Sequence, residues 1–146
     1  MTATLFIEGA KRSFGFAWLL LCVALTIHVI DEALTDFLSV YNPAIKALRR
    51  RFPLLPLPVF SFRVWLGGLS GAIVLAFGVT PLAFGGSGFA VAAAYPLGIL
   101  MIGNALGHMG ASIYRKRFMP GVYSSPLLFL ASVYLLVCAE GIRHAV

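Results

Sequence analysis

Charged positions cut this chain into long apolar blocks. Asp, Glu, Lys and Arg are missing from Ser13 to Ile30, from Val64 to Tyr114 and from Phe118 to Ala139, blocks of 18, 51 and 22 residues. A helix needs about 20 apolar residues to cross about 30 Å of hydrocarbon. In lipid, a helix satisfies its own backbone polar groups within one segment. The longest block exceeds one crossing and carries two turn signals, Thr80-Pro81 and Gly85-Gly86-Ser87-Gly88. The pattern predicts four helices, near 14–37, 60–79, 89–114 and 122–142. That is an all-α fold, a polytopic membrane protein whose residues 1–146 form one four-transmembrane-helix bundle. Residues 42–59 read as a surface segment between the first two helices. Asn42-Pro43 stops the first helix. Ala44 to Phe52 forms a short amphipathic turn with its arginines at the headgroups. Pro53, Pro56 and Pro58 then exclude regular helix.

Composition agrees with the pattern. Hydrophobic residues make up 60% of the chain and charged residues 11%, with a mean hydropathy of +0.95. A soluble domain runs about 45–50% apolar and about 25% charged. The balance excludes a soluble globular domain and a disordered chain. The net charge of +6 raises nucleic acid as a partner, and the placement of the charge argues against it. Lys11-Arg12, Arg49-Arg50-Arg51 and Arg115-Lys116-Arg117 flank apolar blocks, as topology determinants do. The partner this implies is membrane lipid, with no nucleic acid. The segments 42–59 and 115–121 hold most of the basic residues, so the positive-inside rule places them in the cytoplasm of a plasma (inner) membrane. Cys22 and Cys138 lie within apolar blocks without a CxxC and read as small buried hydrophobes. The first block runs into His28 and Asp31-Glu32 without an A-x-A site, so no cleaved signal peptide is expected.

Small residues predict where helices approach. Gly67 and Gly71 form one GxxxG and Gly103 and Gly107 another, and both are expected to serve as packing faces.

Ionisable groups inside a span cost about 2.5–3.5 kcal/mol each on insertion scales, so their presence asks for a reason. His28, Asp31 and Glu32 sit at i, i+3 and i+4, on one face of the first helix. Asp36 extends that stripe by a turn. Asn104 and His108 share a face of the third helix, with Ser112 and Arg115 beyond them. The first and third helices run in the same direction, so both polar faces fall in one half of the membrane and can form one site. Glu140 belongs to a helix running the other way and ends on the opposite side.

Two imidazoles and one or two carboxylates are adequate ligands for a zinc or iron ion, with His28, Glu32 and His108 as the donor set. The residues permit a metal and do not demand one. The same groups without metal can act as a proton donor and acceptor on a lipophilic substrate. Asp31 and Asn104 then orient the others. Two further readings use the same residues: a small carrier or proton-coupled subunit, and a structural protein in which the cluster is helix–helix glue, with Asp31, Glu32 and Asp36 pairing with Arg63 or Arg115. Substrate, oligomeric state and the choice between enzyme and non-enzyme are open at this stage. Pro120-Gly121 reads as the start of the fourth helix, where proline is tolerated, with a loop over the His28–His108 site as the alternative.

These residues also carry a family resemblance. His28-Val29-Ile30-Asp31-Glu32 resembles the signature of the HXXEE family of small membrane proteins. The family's NxxxH is matched by Asn104 to His108, and its YxPG is approximated by Phe118-Met119-Pro120-Gly121. Asp31 replaces the first Glu, and Phe118 replaces the Tyr. The resemblance supports the choice of residues and implies no particular activity.

Overall fold

The computed structural model describes residues 2–54 and 56–145; Leu55, within the expected 42–59 surface segment, lies outside them. Helices α1 (Thr2–Leu34), α2 (Phe37–Arg51), α3 (Phe62–Phe84), α4 (Gly88–Arg115) and α5 (Ser125–Ala145) make an all-helical fold, with no strand among the described residues. Four of the five, all but α2, are long and apolar enough to cross a membrane.

The break after α1 comes earlier than expected. The Thr35 hydroxyl donates to the Asp31 carbonyl at 2.6 Å. Asp36 then adopts φ 54°, ψ 53°, a left-handed conformation that Asp tolerates better than most side chains. Thus α1 ends at Leu34 rather than near 37, and it begins well before residue 14. Asn42-Pro43 does not stop a helix: α2 runs across it. Ser39 and Pro43 are both exposed, so the carbonyl that Pro43 leaves without a partner can be solvated. Asn42 instead clasps the segment leading into α3. Its amide donates to the Phe60 carbonyl at 2.8 Å and accepts from the Phe60 N–H at 3.0 Å. No residue of α2 is buried, and its last turn carries Arg49, Arg50 and Arg51, as a helix lying at an interface would. Thr80-Pro81 likewise fails to turn the chain. Helix α3 continues through Pro81 to Phe84, and the turn falls at Gly85-Gly86, with Gly86 at φ 68°.

Connectivity makes α1 and α4 parallel, with α3 and α5 running against them. α1 packs against α3 and α5, and α4 packs against α5. The order around the bundle is therefore α3, α1, α5, α4. The short connection through Gly85 joins α3 to α4 at one end, yet the two helices barely pack together along their length. One seam of the bundle stays open.

The core runs along α1. Phe14, Trp18, Leu21, Cys22, Leu128 and Leu135 are almost fully buried. Trp18 donates its indole N–H to the Ala76 carbonyl at 2.8 Å, tying α1 to α3. Close approach rests on alanines, including Ala17, Ala24, Ala94, Ala105 and Ala131, and on two glycines. A methyl at Gly15 would overlap the Phe84 ring, and one at Gly98 would meet Leu136. The expected GxxxG faces are not packing faces: a methyl at Gly67, Gly71, Gly103 or Gly107 would touch nothing within 4 Å. The two motifs sit on α3 and α4, the pair that does not close.

Gly15→Ala is expected to cost about 1–3 kcal/mol through overpacking against the Phe84 ring. Gly71→Ala, which meets open space, is expected to be neutral or to stabilise by up to about 1 kcal/mol through helix propensity. Unfolding of both variants in detergent checks the contrast, and equal effects would contradict this packing.

Candidate functional site

The last turns of α1 and α4 bring their polar faces together. α1 delivers His28 and Glu32 from adjacent turns, and α4 delivers Asn104 and His108 in the same way. His28, Glu32 and His108 are 0%, 4% and 8% exposed. The two imidazoles stand edge to face, with ring centroids 5.0 Å apart. Glu32 lies between them: Oε1 is 3.0 Å from His108 Nε2 and 3.6 Å from His28 Nε2. One ligand atom from each residue falls within 4.8 Å of the others. The Asn104 amide nitrogen is 3.2 Å from His28 Nε2.

Asp31 turns aside from this trio. Its Oδ2 accepts from the Ser124 N–H at 3.0 Å and from the Ser124 hydroxyl at 2.7 Å. Ser124 Oγ is in turn 2.8 Å from His28 Nδ1, so Asp31 reaches His28 through a serine. Asp36, expected to continue the stripe, is exposed beyond the end of α1. Neither Arg63 nor Arg115 pairs with these acids among the described residues. Glu140 is held apart by Tyr95, Arg143 and His144.

Pro120-Gly121 does not open a helix. α5 starts at Ser125, and residues 116–124 fold back over the site. The Ser112 hydroxyl donates to the His108 carbonyl and accepts from the Met119 N–H at 3.0 Å, which pins the near end of this loop. The Pro120 carbonyl accepts from His108 Nδ1. Gly121 donates its N–H to Thr35 Oγ1 at 3.3 Å and has φ 80°. A methyl there would lie 2.8 Å from the His108 ring and 3.0 Å from the Glu32 side chain. Only a glycine lets the backbone close so tightly over the trio. Thr35 and Ser124 are the residues that the sequence did not assign to the cluster. Pro120-Gly121 reads first as a helix start, and the structure instead has the alternative, a loop over the two imidazoles.

A cavity of about 390 Å³ lies against His28 and Glu32, with His108 behind them outside its lining. α1 forms its back wall with Leu25 and Val29, Leu69 of α3 and Met101 of α4 form its sides, and Phe37 and Tyr41 of α2 form its floor. His28, Glu32 and Asn104 face it from one end. The Phe37 ring sits 5.4 Å from the His108 ring and 5.9 Å from the Trp65 ring. A buried carboxylate between two imidazoles must share a proton or a cation with them, because an unpaired charge in apolar surroundings is costly. The arrangement can therefore accept a proton, hand one on, or hold a cation at a point reached from an apolar chamber.

The sequence model of the family described as "Protein of unknown function with HXXEE motif" matches residues 18–136. No curated protein and no solved structure gives a significant match. The matched region spans His28 to Glu32, Asn104 to His108 and the loop through Gly121. Where the motif has its first Glu, Asp31 supplies the shorter anchor for Ser124. Phe118 is 77% exposed and stacks on Tyr123, with ring centroids 5.4 Å apart, so that aromatic position lies outside the trio.

Gly121→Ala is expected to destabilise the protein by about 1–3 kcal/mol, since the positive φ and the contact with His108 penalise it together. Thermal unfolding in detergent reads this directly. A wild-type midpoint would mean that the loop does not close as described.

Proposed function

The chain belongs to the HXXEE family, and we propose that it is a membrane-embedded enzyme performing acid–base or hydrolytic chemistry on a lipophilic substrate. The observation that carries this reading is the cavity. Its walls are aliphatic and aromatic, and its polar groups converge at one end, the form expected of a small-molecule site. The α3–α4 seam gives a chain-like substrate a sideways route from the bilayer, with no need to cross water.

Each polar residue has a role in such chemistry. Glu32 takes the proton of an attacking water, or of an acidic C–H on the substrate. His108, 3.0 Å from Glu32 and behind it, shares that proton, and Glu32 returns it to the leaving group. The Asn104 amide, beside His28 Nε2 and facing the chamber, donates to the oxygen on which charge develops. Asp31 acts through Ser124 to fix the His28 ring. The loop through Gly121 covers the opposite side of the trio and limits water to what the reaction consumes. The basic residues of α2 and of the 115–117 turn set this end of the bundle toward the cytoplasm of a plasma (inner) membrane, among anionic headgroups.

The test uses purified protein in nanodiscs of total membrane lipid carrying a diazirine-labelled acyl chain. Crosslinks are expected at Leu69 and Met101, and to fall several-fold in Met101→Trp, which fills the chamber. Lipid profiles before and after incubation with wild-type protein are expected to differ, with Glu32→Gln reducing the change at least about 100-fold, in the range set by loss of general acid–base catalysis. Crosslinks confined to the outer helix faces, with identical lipid profiles for both proteins, would overturn the proposal. Loss of folding in Glu32→Gln is checked by its unfolding midpoint.

A further inference from the structure

The hydrogen bonds around the two imidazoles fix where their protons sit. The Pro120 carbonyl can only accept, so His108 carries its proton on Nδ1 and donates it there. The Ser124 hydroxyl has one proton, and a carboxylate oxygen lies 2.7 Å away, so that proton goes to Asp31. The other oxygen in its reach, the Gly121 carbonyl at 3.3 Å, is again an acceptor. His28 Nδ1, 2.8 Å from Ser124 Oγ, is therefore the donor in that pair. Each neutral ring then turns its Nε2 lone pair inward, and both Nε2 atoms lie against Glu32 Oε1; that of His28 also accepts from the Asn104 amide at 3.2 Å, a contact a bound ion would displace.

Three lone-pair donors thus converge in a buried space. Their mutual repulsion is relieved by a positive charge placed among them. Bonds of about 2.0–2.1 Å at tetrahedral angles require ligand atoms about 3.3 Å apart. The separations of 3.0 and 3.6 Å from Glu32 Oε1 bracket that length. The outer groups match as well: a metal-bound imidazole nearly always donates its second N–H to a carbonyl or carboxylate. Here Pro120 fills that place for His108, and Ser124 with Asp31 fills it for His28. His28, Glu32 and Asn104 all line the apolar chamber, so that side is left for a fourth ligand, as in catalytic rather than structural metal sites.

We propose that His28, Glu32 and His108 bind one divalent transition-metal ion through the two Nε2 atoms and a Glu32 oxygen, with the fourth position facing the chamber. Zinc and iron(II) both suit two imidazoles and one carboxylate. The inference rests on the substrate chamber proposed above; there the ion would supply Lewis acidity to a bound water or carbonyl, in place of the proton transfer through Glu32 and His108, which as ligands would no longer carry it. Ser124 is a positioning residue that holds the His28 ring with Nε2 inward.

The experiment counts metal. Full-length protein, purified in detergent without chelator, is analysed for metals, stripped, and titrated with zinc chloride. The wild type is expected to hold close to one equivalent per chain, and His28→Ala with His108→Ala less than a tenth. Cobalt(II) loading of the stripped protein is expected to give the intense visible bands of a tetrahedral site. Ser124→Ala keeps all three ligands and is expected to weaken zinc affinity about 10–100-fold, with Ser124→Thr, which restores a hydroxyl, recovering most of it. A wild type that neither retains metal nor shifts its unfolding midpoint with zinc, iron(II) or manganese overturns the proposal. So does a double alanine variant that binds as the wild type does. These readouts involve no substrate, so a missing metal leaves the chamber crosslinking to stand by itself, and missing crosslinks leave the metal count intact.

Discussion

A carboxylate buried between two imidazoles governs this end of the molecule. Glu32 is 4% exposed and within 3.6 Å of both rings. A charge in that position is tolerated only if the surroundings neutralise it and hold the partners still. The rest of the local structure follows from that demand. Ser124 and the Pro120 carbonyl lock the outer nitrogen of each ring. Ser112 and Thr35 secure the two sides of the loop that carries Pro120 and Gly121. Gly121 lets the backbone settle where any side chain would strike His108.

The bundle divides its labour along its length. Toward the α3–α4 turn it is a conventional packed core, in which Phe14, Trp18 and Leu21 pack among alanines and the Phe84 ring lies over Gly15 and Phe16. Toward the site the seam between α3 and α4 stays open, and space that side chains would fill elsewhere becomes a chamber. The glycines on the two helices explain little of the close packing and much of the opening. With no side chain at Gly68 on the chamber wall, or at Gly103 and Gly107 on the far side of Asn104, those helices present a thin surface. A small-xxx-small spacing permits close approach without compelling it, because association in lipid depends on what a second helix offers in return.

How much was legible in the sequence varies with the range of the cause. The four spans follow from charge-free length and the glycine turn that divides the longest block, since crossing lipid is a demand each segment meets by itself. His28 with Glu32, and Asn104 with His108, could be placed on shared helix faces because helical spacing is local. Their meeting followed from direction and depth. Prolines misled at three points. Pro43 and Pro81 sit inside helices, and Pro120 lies in a loop ahead of α5. A proline's local preference is worth only a few kcal/mol, and exposure or neighbouring contacts override it.

The sequence by itself determined the class of fold, the relative direction of the spans and the five residues His28, Asp31, Glu32, Asn104 and His108, because those depend on composition and on repeats of a few residues; it also offered Asp36 and Arg115, which the fold leaves outside. The tertiary structure decided for the loop over a helix start at Pro120-Gly121, and alone decided that Asp31 reaches His28 through Ser124, that Glu32 stands between the imidazoles, and that α3 and α4 part to leave a chamber. Each of those facts joins positions tens of residues apart, and only the packing of whole helices brings such positions within hydrogen-bonding distance.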